Sequence, residues 1–112
     1  MAHIVIIPGN GGGDVTKANW YGWAQRRLNE LDDVSCDLRN MPDPILARES
    51  VWIPFMREDM KCGEGSIIIG HSSGAEAAMR FAERYKVKGI VVVSACVTGE
   101  WKERGRVLYT SC

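Results

Sequence analysis

The feature that most constrains this 112-residue chain is an apolar run that passes without interruption through a small turn into a helix-like stretch. Residues 66–69 form the apolar run, and residues 70–74 read Gly-His-Ser-Ser-Gly. In the pattern Gly-x-Ser-x-Gly, the glycines two before and two after the serine avoid clashes across a sharp strand-to-helix turn. The pattern predicts that Ser72 lies on such a turn as a candidate nucleophile. A helix N-cap is the alternative role for a serine here, and Ser73 also suits that role.

Strand-like and helix-like segments alternate along the rest of the chain. This alternation predicts an α/β fold, in which right-handed crossovers place helices on the faces of a parallel sheet. We predict four strands in the order 2-1-3-4, which puts the first and third strands side by side. The strand-like runs lie at residues 3–8, 34–40, 66–69 and 89–95, and the helix-like segments lie at residues 18–31, 48–61 and 73–85.

The spacing of apolar residues predicts which side chains the helices bury. Pro54 is expected to divide the second helix into two short pieces that meet near Ile53. In the third helix, Glu76 and Arg80 are spaced to form an ion pair. The fourth strand is continuously apolar, as expected for a strand that is covered on both faces. The residues predicted to be buried are Trp20, Trp23, Ala24, Leu28 and Leu31 of the first helix and Ala75, Ala78, Met79, Ala82 and Tyr85 of the third.

A glycine-rich loop, Gly-Asn-Gly-Gly-Gly-Asp, follows the first strand at residues 9–14. In the predicted strand order, this loop and the 70–74 turn meet at the carboxyl ends of neighbouring strands, where ligands bind in such sheets. A backbone N–H of Asn10 or Gly11 would then lie opposite the N–H of Ser73, and the two would form an oxyanion hole. Phosphate binding is disfavoured because Asp14 stands where the dinucleotide fingerprint requires glycine. A structural turn without a ligand is the remaining alternative.

The chain contains two histidines, and neither is predicted to act as a base for Ser72. His71 is adjacent to Ser72, but neighbouring residues on a turn project in different directions, so we predict that His71 lines the pocket or fixes the turn by hydrogen bonding. His3 opens the first strand and therefore lies at the opposite end of the sheet from the crevice. No histidine follows His71, and no aspartate follows Asp59.

The charge balance and the cysteines limit the classes of partner. The chain has 14 Lys and Arg residues and 14 Asp and Glu residues, so no basic face for nucleic acid or for a membrane is indicated. Its four cysteines have no histidine at metal-ligand spacing. We therefore expect free thiols in a reducing compartment, the cytoplasm or the nucleus, and neither a metal nor another cofactor. The cysteines are Cys36, Cys62, Cys96 and Cys112.

Three motifs in order make the chain similar to the retinoblastoma-binding protein 9 family of small serine hydrolases. They lie at residues 7–15, at residues 40–44 with 47–50, and at residues 69–75. The resemblance implies a partial three-layer α/β-hydrolase-like fold, with Ser72 as the nucleophile and an oxyanion hole formed by the glycine loop and Ser73. It also implies a small ester or amide as the substrate. The Asp and His of the family's catalytic triad come later in sequence than the nucleophile, and this chain has no counterpart for either.

The resemblance covers residues 3–95 and therefore predicts a hydrolase domain at residues 1–96, with a divergent, poorly ordered tail at residues 97–112. A truncated form or an alternative carboxyl end would explain this pattern. We expect the chain alone to be inactive or weakly active, because oxyanion-hole and binding effects are what remain when a triad loses its histidine. The fourth strand would become an apolar sheet edge, which favours self-association.

The family also carries a Leu-x-Cys-x-Glu motif as a binding element for the retinoblastoma protein. The matching residues here are Met60, Cys62 and Glu64, in which methionine replaces leucine in an apolar exchange. The resemblance therefore implies an alternative function, that of a non-catalytic binding protein for a retinoblastoma-type partner. A simple linker between a helix and a strand is the competing interpretation of the same five residues.

Overall fold

Three short runs rich in isoleucine and valine, together with one run of alternating apolar and polar residues, form one parallel sheet in the computed structural model, which describes residues 1–95. The strand order is β2-β1-β3-β4, as predicted, and three helices connect the strands. The predicted tail at residues 97–112 lies outside the described residues. The elements are β1 (Ala2–Ile7), α1 (Tyr21–Asn29), β2 (Val34–Leu38), α2 (Glu49–Glu58), β3 (Ser66–His71), α3 (Ser73–Arg84) and β4 (Gly89–Val93).

The side chains of β1 alternate between two cores, one on each face of the sheet. Val5 and Ile7 point into a cluster with Trp52, Met56 and Phe81 of α2 and α3. The alternate β1 residues point into a second cluster on the face that α1 covers. A strand that buries both faces has no polar positions, which explains the uninterrupted apolar run of β1. The result is the predicted three-layer arrangement. The second cluster comprises Ile4, Ile6, Val15, Tyr21, Cys36 and Leu38.

The first helix differs from its prediction in length and in the face that it buries. α1 begins at Tyr21, and its buried residues are Tyr21 and Gly22. Trp23 is 59% exposed and lies under the guanidinium of Arg27 instead of in the core. Leu31, also predicted to be buried, lies beyond the helix and is exposed. The spacing at three and four residues was read correctly as helical, but the helix is rotated so that its tyrosine faces the sheet.

The second helix is continuous through Pro54, contrary to the predicted break near Ile53. Pro54 lies on the solvent-exposed side, while Trp52, Ile53 and Met56 are buried. Proline removes the one hydrogen bond that its N–H would have made to the carbonyl of Ser50. The apolar contacts on the opposite side hold the two turns together, so the sequence rule for proline was wrong here.

The third helix and the fourth strand also depart from their predicted burial. α3 buries Ala77 and Phe81 and leaves Ala82 exposed, although Glu76 and Arg80 form the predicted ion pair at 3.1 Å. β4 lies at the edge of the described sheet, and Val91 in its centre is 47% exposed. The expectation that β4 is covered on both faces is therefore wrong for the residues that the structure describes.

Among the same residues, no helix is both long enough and apolar enough to cross a membrane.

Candidate active site

Ser72 occupies the single-residue junction between β3 and α3. Its backbone has φ 56° and ψ −118°, a conformation that L-residues rarely adopt. Holding a residue in such a conformation costs about 1–3 kcal/mol, and it persists only where the surrounding structure imposes it. Ser72 is the N-cap residue of α3, but its hydroxyl makes no capping hydrogen bond. The side-chain capping role considered as an alternative for Ser72 is therefore not seen, and the hydroxyl is not consumed by the helix.

The two glycines of the turn are required because backbone atoms approach them closely. A Cβ on Gly70 would overlap the carbonyl oxygen of Gly74 and lie 2.7 Å from Cα of Ala75. A Cβ on Gly74 would overlap the carbonyl oxygen of Ile7 and lie 2.6 Å from that of Pro8. Real Cβ atoms do not make such contacts with backbone atoms. The absence of both side chains lets α3 start directly against the end of β1, which is the steric reason given above for the pattern.

The glycine loop meets the turn at the carboxyl ends of β1 and β3, as the strand order predicted. A Cβ on Gly9 would lie 3.4 Å from Cβ of Ser72, so the loop passes directly beside the serine. The N–H of Ser73 is the first amide of α3 and has no carbonyl within the helix to which it could donate. The positive end of the helix dipole lies at the same point and stabilises negative charge there.

The two predicted oxyanion donors of the loop are both engaged within the protein. The N–H of Asn10 donates to Oγ of Ser73 at 2.7 Å. The N–H of Gly11 donates to the carbonyl oxygen of Pro44 at 2.8 Å. Asn10 and Ser73 are thus brought together as predicted, while the oxyanion-hole role of Asn10, Gly11 and Ser73 stays a prediction. Gly11 is the weaker candidate of the two, because its partner is a backbone carbonyl in a separate segment.

His71 contacts aromatic rings and a tyrosine hydroxyl. Its Nδ1 lies 2.6 Å from the hydroxyl oxygen of Tyr21, which also accepts the N–H of Gly9 at 2.9 Å. The direction of the hydrogen bond between Nδ1 and the Tyr21 hydroxyl depends on the tautomer of His71, but in either tautomer Nδ1 is engaged. Burial lowers the pKa of His71 from its ordinary value and favours the neutral imidazole. Nδ1 is therefore not free to take a proton from Ser72.

Tyr21 was not recognised from the sequence as a site residue. It is buried, and its hydroxyl joins the glycine loop to the end of β3. A buried tyrosine hydroxyl needs a hydrogen-bond partner, and that requirement was the only available signal. The other histidine, His3, hydrogen-bonds Ser66 at 2.8 Å, where both strands begin, so it lies at the far end of the sheet as predicted.

A cavity of about 440 Å³ lies next to the glycine loop. Its apolar walls include Met41, Ile45 and Trp52, and Asp14 contributes a carboxylate. Hydrogen bonds from the hydroxyl and the N–H of Thr16 lower the pKa of Asp14, so this carboxylate is ionised at neutral pH. Gly9 lines the cavity and also adjoins Ser72, so little more than the loop backbone separates the cavity from the serine.

The segment at residues 60–64, considered above as a docking element, has two of its three motif residues in the core. Met60 is 1% exposed and Cys62 is 2% exposed, and both belong to the core cluster of α2 and α3. Burial raises the pKa of the Cys62 thiol to about 12, so it carries no thiolate at neutral pH. Glu64 is exposed and pairs with Lys86 at 3.4 Å. The structure therefore leaves one of the three motif residues accessible to a partner.

The described residues contain no group of three or more His, Cys, Asp or Glu side chains that could hold a metal ion. Two of the four cysteines lie within this part of the chain, and both Cys36 and Cys62 are free and buried. Burial, with a smaller contribution from the neighbouring Asp37, raises the pKa of the Cys36 thiol to about 11. Neither thiol is activated for nucleophilic chemistry.

The parallel sheet, the Gly-x-Ser-x-Gly turn and the adjoining glycine loop define the class as an α/β fold of the hydrolase type. The chain belongs to the serine hydrolase family, whose model matches residues 4–109. This match extends past residue 95, where the resemblance drawn from the sequence ended.

Among curated proteins, the chain is similar to "Serine hydrolase RBBP9" of Rattus norvegicus, with 53% identity over 102 residues that cover 89% of this chain and 55% of that protein. It is also 31% identical over 81 residues to "Putative hydrolase YdeN" of Bacillus subtilis (strain 168), covering 68% of this chain and 42% of that protein. The crystal structure of the ydeN gene product superposes with a TM-score of 0.69 at 28% identity, over 85% of this chain and 52% of that one. The chain thus spans about half the length of the curated relatives it matches.

Proposed function

We propose that Ser72 is the nucleophile of a serine hydrolase that acts on a small ester or amide. The observation that carries the proposal is the backbone of Ser72, which is held at positive φ by two glycine contacts while its hydroxyl makes no capping bond. Strain of this kind persists where the structure has to present one side chain in one direction. Family membership and the 53% identity to a serine hydrolase support the same assignment.

In the proposed reaction, Oγ of Ser72 attacks the carbonyl carbon of the substrate and loses its proton to a base. The carbonyl oxygen becomes an oxyanion, which accepts the N–H of Ser73 and, on the opposite side, that of Asn10. The leaving group then departs with a proton as the acyl-serine forms, and water hydrolyses the acyl-serine. Removing one oxyanion donor costs about 3 kcal/mol of transition-state stabilisation in other enzymes.

We propose that neither histidine of this chain is that base. Nδ1 of His71 is bonded to Tyr21, and His3 lies at the opposite end of the sheet. We therefore propose that the 112-residue chain alone keeps binding and oxyanion effects and is inactive or weakly active. Its location in the cytoplasm or the nucleus stays a prediction from the cysteine pattern.

Labelling with a fluorophosphonate probe tests the proposal. We expect slow phosphonylation of the chain, located at Ser72 by peptide mapping, and none in the Ser72→Ala variant. Ser50→Ala is the matched control, since Ser50 is an exposed serine on α2. No labelling of a folded chain would contradict the role of Ser72, and a rate equal to that of the rat relative would contradict the expected weakness.

The alternative, binding of a retinoblastoma-type partner through residues 60–64, has less support because Met60 and Cys62 would have to leave the core. A pull-down of the retinoblastoma protein with the folded chain distinguishes the two functions. Capture that is lost on changing Glu64 to alanine would favour the binding function. Capture that survives the combined change of Cys62 and Glu64 to alanine would exclude the motif.

A further inference from the structure

The hydroxyl of Ser73 forms a closed pair of hydrogen bonds with one residue of the glycine loop. Its oxygen accepts the backbone N–H of Asn10 at 2.7 Å, and its proton is donated to Oδ1 of Asn10 at 2.9 Å. The amide nitrogen Nδ2 of Asn10 donates in turn to the carbonyl oxygen of Ile45 at 2.9 Å. Ser73 thus occupies both the backbone N–H and the side-chain oxygen of Asn10.

We propose that the Ser73 hydroxyl caps the oxyanion hole, by occupying the loop amide until negative charge develops on the substrate. This inference rests on the proposed function, because it concerns the amide that the proposed reaction assigns to the oxyanion. An N–H group has one proton, so the Asn10 amide cannot make a full hydrogen bond to both acceptors. Ser73 is 2% exposed, so solvent is not available to replace its hydroxyl.

The cap distinguishes the neutral carbonyl of a bound substrate from the oxyanion of the transition state. A neutral carbonyl would have to displace a hydroxyl that both accepts from and donates to Asn10, so it breaks two neutral hydrogen bonds to form one and gains little. A charged oxygen forms a shorter and stronger hydrogen bond than a neutral one, so it can take the amide from the hydroxyl. The Asn10 amide then contributes to the transition state and not to substrate binding, which is the kind of interaction that raises kcat.

The same network connects the cap to the cavity. Pro44 and Ile45 line the cavity and accept hydrogen bonds from the N–H of Gly11 and from Nδ2 of Asn10. These two bonds hold the loop while the amide of Asn10 exchanges its acceptor. The exchange thus requires Oγ of Ser73 to move away from the N–H of Asn10 by rotation about the Cα–Cβ bond of Ser73, while the glycine loop stays in place.

The inference is tested first by the rate at which a fluorophosphonate labels Ser72 in the chain and in its Ser73→Ala variant. Without the cap, the amide is already free, and we expect labelling to be about fivefold faster, the effect of one ordinary hydrogen bond. Ser50→Ala, an exposed serine-to-alanine change on α2, is the matched control. An unchanged or slower rate in Ser73→Ala would show that the hydroxyl only positions the loop, and would overturn the cap.

A second measurement uses the unaltered chain and does not depend on the variant folding. In ¹⁵N-labelled protein, we expect the Asn10 amide proton to move downfield when Ser72 is phosphonylated, as it exchanges a neutral acceptor for a charged oxygen. An Asn10 resonance that does not respond to the adduct would overturn the cap while leaving the proposed function intact. If neither the unaltered chain nor the Ser73→Ala variant were labelled, the proposed function would be overturned, and the cap with it.

Discussion

The turn at residues 70–74 and the segment at residues 60–64 are both five-residue motifs that precede or follow β3, yet the fold treats them in opposite ways. In the turn, the fold strains the backbone at Ser72 and leaves that side chain half-buried beside the glycine loop. In the segment, it places Met60 and Cys62 among the most buried residues of the chain. Both motifs have the right residue types in the right order. Because Lys61 in the segment also has a positive φ, of 60°, it is the exposure of the motif side chains that separates a candidate site from a piece of the core.

Among the tests of this contrast, Gly74→Ala is expected to have the largest effect. The new Cβ would overlap backbone atoms of β1, which cannot move without separating β1 from α3. We expect the free energy of unfolding to fall by about 4 kcal/mol or more, which is exceptional for one methyl group. Urea denaturation followed by circular dichroism measures this fall. Gly65→Ala is the control, because a Cβ there meets nothing within 4 Å, and equal stability of the two variants would contradict the close approach at the turn.

Met60→Ala tests the other side of the comparison. If the segment is core, removing this side chain leaves a cavity and lowers the free energy of unfolding by about 2–5 kcal/mol. Glu64→Ala, in the same segment, removes an exposed ion pair and should change it by less than about 0.5 kcal/mol. The same urea titrations measure both. If Met60→Ala lowered the free energy of unfolding as little as Glu64→Ala does, the segment would not be part of the core, and docking through it would gain support.

Tyr21→Phe sharpens the account of the turn. The change leaves the N–H of Gly9 and Nδ1 of His71 without their partner, and we expect it to lower the free energy of unfolding by about 1–3 kcal/mol. Tyr85→Phe is the matched control, since the Tyr85 ring packs on Phe81 and Arg57 while its hydroxyl makes no hydrogen bond within residues 1–95. Equal melting temperatures for the two variants would mean that the Tyr21 hydroxyl does not fix the turn.

The smallest effect concerns Glu76, a buried carboxylate of α3. Burial raises the pKa of Glu76 above its ordinary 4.5, with Glu83 and Glu49 adding to the increase and Arg80 opposing it. The native state therefore holds the proton more tightly than the unfolded state, and this group contributes more to stability as pH falls from 7 toward its native pKa. We expect the wild type to gain stability relative to Glu76→Gln when the pH is lowered from 7 to 5. Glu58→Gln, the same change at an exposed position of α2, is the control.

The architecture could be predicted because it depends on local composition. The alternation of strand-like runs and helical spacers was enough to predict a parallel sheet, and the turn glycines were enough to predict where α3 begins. The strand order was predicted from the doubly wound arrangement of such sheets. The phase of α1 could not be predicted, because Tyr21 and Trp23 differ little in apolar character and only contact with the sheet decides which is buried. The continuity of α2 through Pro54 likewise depends on tertiary packing of Trp52 and Met56.

The sequence could predict which residues form the candidate site, but not which hydrogen bonds those residues make. The sequence brings Asn10 and Ser73 to the same crevice, because neighbouring parallel strands end there. It does not indicate that their polar groups bond to each other, since a hydroxyl's rotamer depends on all its neighbours in three dimensions. Tyr21 was missed for the same reason: its partners, Gly9 and His71, come from two different strands' ends.

The hydrogen bond between Asn10 and Ser73 joins residues 63 positions apart. Bringing such distant positions together costs loop-closure entropy, and that cost is recovered only when β1 and β3 pair along their length. In a chain that has formed its helices but not its sheet, Ser72 and the glycine loop are not in contact. If Ser72 reacts as proposed, its labelling reports cooperative folding, because only molecules in which β1 and β3 have paired bring the glycine loop beside the serine.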